Sequence, residues 1–536
     1  MKNLLLLLAF LISSASFSQE DAWVYFNDKP NAQFYLDNPL EMLSQRALDR
    51  RNAQGISLVL NDVPVHQSYI DAIISQVGIE VKAKSKWLNC LHVRGSIEAI
   101  QGLISLNFVS QIVFADDSLN AKNTNFSQNT TINKNLDMQA TFPYGNSANQ
   151  IEMLNGHLLH QQNFTGVGKI IAVLDSGFIN VDTATPFQRL FNNNLILGGY
   201  NYVSRDENVY SLHNHGTLVL SCMAGFVQDE LVGTAPDANY YLYVTEDVTS
   251  ENPVEESNWV EAAEEADRVG ADIITSSLGY FGYDNPNYSH TYSDMTGDAN
   301  FASKGANIAF SKGIIVVASA GNEGSNSEPH VGVPAEATNV LAIGAVKFDE
   351  SYATFSSIGP SFDNRIKPDL MAQGQSVKIA NTSGNVVNGS GTSFSGPIVA
   401  GMIASFWQAV PTLTNQQVVA IVKQSADRFS SPNEQFGYGI PDFQLALNNA
   451  LLSVNESVKY DFVVYPNPVT SNFSIRFPNN LVDVNLVLYN NLGQIILEKN
   501  KLISDENINL ESLNSGIYFY KIASANGVHS GKLLKN

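Results

Sequence analysis

The amino-acid sequence predicts an α/β protein: a mainly parallel sheet with helices on both faces, preceded by a small α+β unit of ferredoxin-like order and followed by a small all-β sandwich. Three observations carry this. The central stretch pairs helical patterns with buried-strand runs, Trp259 to Val269 before Ala271–Ile274 and Ala306 to Lys312 before Ile314–Ala318. Strands that are apolar on both sides belong in a parallel sheet covered by helices. From about Tyr460 the texture changes to short alternating strands divided by turn residues. With 536 residues, 44% of them hydrophobic and 15% charged, the chain can fill several cores.

The first segment, Met1 to Ser18, has a lysine at position 2, an apolar run over Leu4–Ile12 and small residues at Ser16 and Ser18. That is the pattern of a secretory signal peptide, with cleavage expected after Ser18. The run is about nine residues, against the roughly 20 that span a bilayer, and no later stretch is long and apolar enough to do so. The mature protein is therefore expected to be exported, passing through the periplasm and ending secreted or attached to the cell surface by something other than a helix.

Residues 19–117 order as strand (Ala22–Phe26), helix (Leu40–Arg51), helix (Gln67–Gln76), strands (Ile79–Ala83 and Leu88–Val93), helix (Ser96–Ile104) and strand (Phe108–Phe114). This is a ferredoxin-like order with one extra helix. The stretch 118–144 is rich in Asn, Thr and Ser at its start and reads as an exposed linker. The α/β region follows over 145–455, opening with the buried-strand run Lys169–Leu174. In the final segment, 460–536, strands are expected at Phe473–Phe477, Val484–Tyr489, Gln494–Lys499 and Ile517–Ile522, with turns at Pro478–Asn480 and Asn491–Gly493.

Lys and Arg number 30 against 51 Asp and Glu, a net charge of −21, which argues against a nucleic-acid or other phosphate-binding surface. Two cysteines, Cys90 and Cys222, exclude a disulfide framework and a cysteine-based zinc site.

Four local patterns carry chemistry. Asp175-Ser176-Gly177 stands where the buried strand Lys169–Leu174 ends, at the edge where open α/β sheets bind ligands. His213-Asn214-His215-Gly216-Thr217 opens a helix, and the glycine leaves room for a ring to turn toward the strand ends. Ala318-Ser319-Ala320-Gly321-Asn322 follows another buried strand and presents a side-chain amide. Gly389-Ser390-Gly391-Thr392-Ser393-Phe394-Ser395-Gly396-Pro397 runs into apolar positions at helical spacing, so Ser393 sits at a helix start, where backbone N–H groups favour a developing oxyanion. Each pattern alone has a plainer reading: a turn, a helix cap, or for His213 and His215 half of a zinc pair. His157 and His160, three apart, read as core or surface residues in the same way.

Taken together, the order Asp, His, Asn, Ser with these flanks resembles the subtilisin family of serine proteases. The likeness covers about residues 145–450 and includes Ser356–Pro360, Lys367–Asp369 and Gly437–Pro441. It implies a subtilisin-like domain hydrolysing peptide bonds in protein or peptide substrates, with Asp175, His215 and Ser393 as catalytic residues, Asn322 in the oxyanion hole, and Ser277, Leu278 and Gly279 pairing with extended substrate. It implies no required cofactor and no catalytic metal; structural calcium is common in such proteins, but no loop here shows an ordered series of Asp and Asn ligands. Phe394 stands where Met is common and Gln373 where Pro is common. The segment 19–117 resembles the removable inhibitory prodomains of the family, with its processing site in the linker. Val464–Pro468, Leu488–Gly493, Ser515–Tyr520 and Gly531–Lys535 resemble the sorting domain of the type IX secretion machinery of Bacteroidetes. A rival reading is an inactive scaffold used as a surface-binding protein, against which all four positions are filled. A serine esterase lacks its Gly-x-Ser-x-Gly elbow at Ser393.

Overall fold

The computed structural model describes residues 19–120, 142–454, 462–477, 484–490, 494–524 and 527–536. The expected signal peptide, most of the expected linker, and the turns at Pro478–Asn480 and Asn491–Gly493 lie outside the described residues. The chain forms two compact units, 1–449 and 450–536, each taken by itself here.

At the start of the first unit, β1 (Glu20–Phe26), β2 (Ile79–Ser85), β3 (Cys90–Gly95) and β4 (Val109–Phe114) pair antiparallel in the order β2-β3-β1-β4. That is the ferredoxin-like arrangement, closed by helices Gln67–Ile74 and Ile97–Gly102 over Val24, Ile73, Leu91, Val93 and Ile100. The single helix expected over Leu40–Arg51 is instead a 3₁₀ turn, Pro39–Glu41, and a separate helix α1, Gln45–Ala53, with a further helix at Ala32–Asp37. Ser44 makes the division: its side chain accepts the Ala47 N–H at 3.2 Å, an N-cap that starts a new helix.

The central sheet has seven strands: β5 (Ile170–Asp175), β6 (Ile196–Asn201), β7 (Asn239–Val244), β8 (Ile273–Ser276), β9 (Ile315–Ser319), β10 (Val340–Val346) and β11 (Leu370–Gln373). All pairings are parallel, in the order β11-β10-β9-β8-β5-β7-β6. The chain builds one flank from β5, then returns to build the other, so the order reverses beside β5, where such sheets open a crevice at their carboxyl ends. Helices α2 (His215–Ala224) and α5 (Thr392–Ala409) pack together, with α5 lying across β8 to β11. A second pair, α3 (Val254–Val269) and α4 (Phe301–Ser311), meets the alternate strand residues Ala172, Leu174, Ile274 and Val316 through Trp259, Ala263 and Ala306. Alternation along a strand therefore places the two helix pairs on opposite faces.

The second unit holds two antiparallel sheets, one of Val463–Tyr465, Asn472–Arg476 and Asn507–Asn509, the other of Ile495–Lys499, Asn485–Tyr489, Gly516–Ser524 and Gly527–Lys535. Phe473, Ile475 and Ile508 from the first share one core with Leu486, Leu488, Ile522 and Leu533 from the second, which makes a sandwich.

The small N-terminal sheet lies against α3: Trp23 Nε1 donates to Ser257 Oγ at 2.8 Å, and the Glu264 carboxylate accepts from Ser85 Oγ and from the N–H groups of Lys86 and Trp87. A second attachment lies at the far ends of α3 and α4. Arg50 pairs with Asp267 at 2.5 Å, Arg51 bridges Asp62 at 2.9 Å and Asp267 at 2.6 Å, and Lys312 reaches Asp62 at 2.9 Å. The Arg51, Asp62 and Asp267 side chains are no more than 1% exposed. Arg46 and Arg50 also donate to the carbonyls of Gly270 and Ala271, just past the α3 carboxyl end, where a cation is favoured. Removing one member of a buried ion group strands its partners' charge. Asp267→Ala should therefore lower the stability of the full chain by about 3–5 kcal/mol in denaturant unfolding, while Glu265→Ala, which breaks the exposed pair with Arg268, should cost less than about 1 kcal/mol.

Candidate active site

Asp175 is the last residue of β5 and fully buried. Its carboxylate accepts from Ser176 N–H at 2.8 Å, from Ser176 Oγ at 3.2 Å and from His215 Nδ1 at 2.8 Å. Two glycines permit this approach. A Cβ on Gly177 would stand 2.3 Å from the Ser211 carbonyl oxygen, and one on Gly216 would stand 2.5 Å from the Gly177 carbonyl oxygen and 2.7 Å from the Phe178 ring. With both absent, the α2 start drops onto the end of β5 and His215, its first residue, meets Asp175. The Asp175 charge and its hydrogen bond hold the imidazole above the usual histidine range, against the opposing effect of burial, and the charge of Glu246 adds to the rise.

Glu246 did not stand out in the sequence. It follows β7 by two residues, beside Asp175, whose carbonyl accepts the Thr245 N–H at 3.0 Å. Its carboxyl is buried and accepts from Tyr280 Oη and Thr245 Oγ1, both at 2.7 Å. Burial pushes it up to about 7, the two hydrogen bonds oppose this, and the Asp175 charge adds to it. The only sequence signal was an acid placed just past a buried strand.

Ser393 is the second residue of α5. The first turn of that helix is tied to the ends of β8 and β9: Ser319 Oγ donates to the Thr392 carbonyl at 2.8 Å, and Ser277 Oγ to the Ser393 carbonyl at 3.0 Å. The second bond has a covalent origin. In a helix the Ser393 carbonyl would accept the N–H four residues on, but that residue is Pro397, which has none. Asn322 Oδ1 accepts the Thr392 N–H at 2.9 Å and Thr392 Oγ1 at 3.2 Å. Since a backbone N–H needs an acceptor, this bond fixes which way the amide lies and leaves its NH₂ group as donor elsewhere. The Ser393 N–H, at a helix N-terminus, has no intrahelical acceptor.

A pocket of about 560 Å³ opens here, lined among others by Ser277, Leu278, Gly279, Asn322 and Ser393. Asp175 and His215 are not in its lining; the imidazole lies beside the start of α5, its ring 6.4 Å from that of Phe394. The Ser393 hydroxyl donates to the Ser277 carbonyl at 3.5 Å, the outer limit of a hydrogen bond, and not to His215. The other sequence candidates are not in the pocket lining. Cys222 is fully buried on α2, where burial pushes its thiol up. His160 is buried between Tyr144 Oη and the Thr234 carbonyl, and burial brings it down to about 4. His213 Nδ1 lies 3.3 Å from Ser176 Oγ. Among the described residues no group of three or more His, Cys, Asp and Glu is placed to hold a metal ion.

Comparison with known proteins gives three family matches along the chain. Residues 21–133 match the "Peptidase S8 propeptide domain, Bacteroidota", residues 166–439 the "Subtilase family", and residues 463–536 the "Secretion system C-terminal sorting domain". Similar proteins include Subtilisin NAT of Bacillus subtilis subsp. natto, 30% identical over 57% of this chain and 71% of its own length. Subtilisin of Bacillus pumilus is 30% identical over 57% of this chain and 98% of its own. The thermostable alkaline protease of Halalkalibacterium halodurans is 27% identical over 58% and 74%.

The carboxyl of Glu246 favours the imidazolium form of His215, so Glu246→Gln should move the His215 titration to lower pH, by less than about one unit. A proton NMR titration of the imidazole in the Ser393→Ala background reads this directly; an unmoved or raised midpoint would contradict the electrostatic assignment.

Proposed function

This chain belongs to the subtilase family, and we propose that it is a serine endopeptidase made as a precursor, cutting peptide bonds through Asp175, His215 and Ser393. The observation that carries the reading is the 2.8 Å bond from His215 Nδ1 to the buried Asp175, set beside a helix-start serine whose neighbour Thr392 orients the Asn322 amide. Asp175 holds the Nδ1–H tautomer, which leaves Nε2 free to accept a proton.

Attack of Ser393 Oγ on the scissile carbonyl forms the C–O bond while its proton passes to His215 Nε2. The negative charge that moves to the carbonyl oxygen is met by the Asn322 NH₂ and the Ser393 N–H. Collapse breaks the C–N bond as His215 returns the proton to the leaving amine. Water, deprotonated by His215, then cleaves the ester on Ser393 and restores the serine hydroxyl. Ser277, Leu278 and Gly279 leave β8 along the pocket wall, where their main-chain groups suit an extended substrate of many sequences. Ser393 Oγ here turns to the Ser277 carbonyl, and the proposed attack requires it to turn toward His215 Nε2 in the complex, where catalytic hydrogen bonds tighten.

The chain carries a propeptide domain and a carboxyl-terminal sorting domain, and it is a secreted or surface-attached protein. Among the described residues no helix is long and apolar enough to cross a membrane. The proposed layout is a signal peptide at 1–18, a prodomain at 19–117, a linker with the processing site at 118–144, the catalytic domain at 145–455 and the sorting domain at 460–536. The prodomain would inhibit the processed enzyme. In support, its last described residues sit by the loop that continues the pocket wall: Asp116 accepts from Asn287 Nδ2 at 3.1 Å, and that loop folds back through the His290 N–H to the Phe281 carbonyl at 2.8 Å.

Ser393→Ala should abolish hydrolysis of a fluorogenic peptide while leaving the circular-dichroism spectrum unchanged; activity near wild type would overturn the nucleophile assignment. Asn322→Ala should lower kcat by about 10²–10³, as loss of one oxyanion donor does, with KM little changed because that charge exists only in the transition state. A raised KM with kcat intact would make Asn322 a substrate-binding residue instead.

A further inference from the structure

The pocket beside Ser393 is formed where two loops of distant sequence meet, 277–282 leaving β8 and 319–333 leaving β9, joined by the Tyr280 N–H to the Val333 carbonyl at 2.8 Å. Its lining includes the small or apolar residues Leu278, Gly279, Ala320 and Gly321. Among the described residues the charged groups in its lining are three carboxylates, Glu251, Glu323 and Glu328, and one imidazole, His330, with no lysine or arginine.

Among the described residues none of these carboxylates is paired with a lysine or arginine. Glu323 accepts from the side-chain amide of Asn326, a neutral donor. Glu328 meets His330 Nδ1 at 2.5 Å, with that ring stacked on Tyr292 at 3.8 Å between centroids. Glu251 has another acid as neighbour, since Asp284 accepts the Glu251 N–H at 3.2 Å, and burial and the Asp284 charge both push its carboxyl above the usual range. A protonated His330 would still leave the pocket with an excess of negative charge, on a chain of net charge −21.

We propose that this pocket selects a lysine or arginine side chain on the residue whose carbonyl is cut, with Glu251, Glu323 and Glu328 as the specificity-determining residues. The proposal rests on the reading of Ser393 as nucleophile, because the pocket takes the side chain adjoining the attacked carbonyl only if that carbonyl sits at Ser393. A long aliphatic stem passes between Leu278 and Ala320 while its charged head stays among the carboxylates, the arrangement that lysine and arginine adopt where an apolar wall ends in polar groups. A cleft lined by one sign of charge also raises the local concentration of the opposite sign.

The test uses the processed protein obtained from the full chain and fluorogenic peptides that differ only at the cut residue, carrying Lys, Arg, Leu, Phe or Glu. We expect kcat/KM for Lys or Arg to exceed that for Leu by about tenfold or more, with Glu the poorest. The Lys-to-Leu ratio should fall in Glu323→Gln and Glu328→Gln, and again when salt is raised from about 50 mM to about 500 mM, since the contacts are solvent-accessible. A fluorophosphonate probe run in parallel separates the two levels. If Ser393 is labelled and Leu or Phe peptides are cut as well as Lys peptides, the cation preference is overturned and the protease reading stands. If Ser393 is unlabelled and no peptide is cut, both fall.

Discussion

Asp175 is a carboxylate at the end of a strand buried on every side, a position that water cannot reach and that only hydrogen-bond donors make tolerable. The donors are the Ser176 N–H, the Ser176 hydroxyl and His215 Nδ1. Much of the local architecture follows from bringing the last of these within 2.8 Å. Residues 211–213 must cross Gly177 closely, α2 must begin against the Gly177 carbonyl, and neither approach leaves room for a Cβ. The reward is a histidine with one nitrogen committed, and its basicity is raised by the same charge that it stabilises.

A second constraint acts on α5. Its helix is almost wholly buried, so its position is set by packing across β8 to β11, but its first turn would be left with unpaired groups. Pro397 frees the Ser393 carbonyl, Ser277 and Ser319 supply hydroxyls to the first-turn carbonyls, and Asn322 accepts the Thr392 N–H. These contacts anchor the proposed nucleophile and orient the proposed oxyanion donor together, so the same bonds that close the helix end also prepare the site.

The central strands were legible because burial on both faces leaves continuous runs such as Ile170–Leu174, and the small N-terminal unit was legible from its order of elements. The division at Ser44 was readable as a cap but was masked by the apolar residues Leu40, Met42 and Leu43 around it. The link between Ser393 and Pro397 was also within reach, since the spacing of four is visible in the chain. Glu246 and the acidic pocket were not. Glu251 lies on the loop after β7, while Glu323 and Glu328 share the loop after β9, and their common space exists only once β8 and β9 bring 277–282 beside 319–333. The buried ion group joining Arg50, Arg51, Asp62, Asp267 and Lys312 was hidden in the same way, because each residue alone reads as a solvated charge.

The central claim is that Ser393 is a hydroxyl activated by His215 and Asp175. Treatment of the processed protein with a fluorophosphonate, followed by peptide mapping in a mass spectrometer, tests it most directly. The account predicts one adduct per chain, carried on the peptide containing Ser393 and formed far more slowly in His215→Ala. An adduct on another serine, or equal labelling with and without His215, would contradict it.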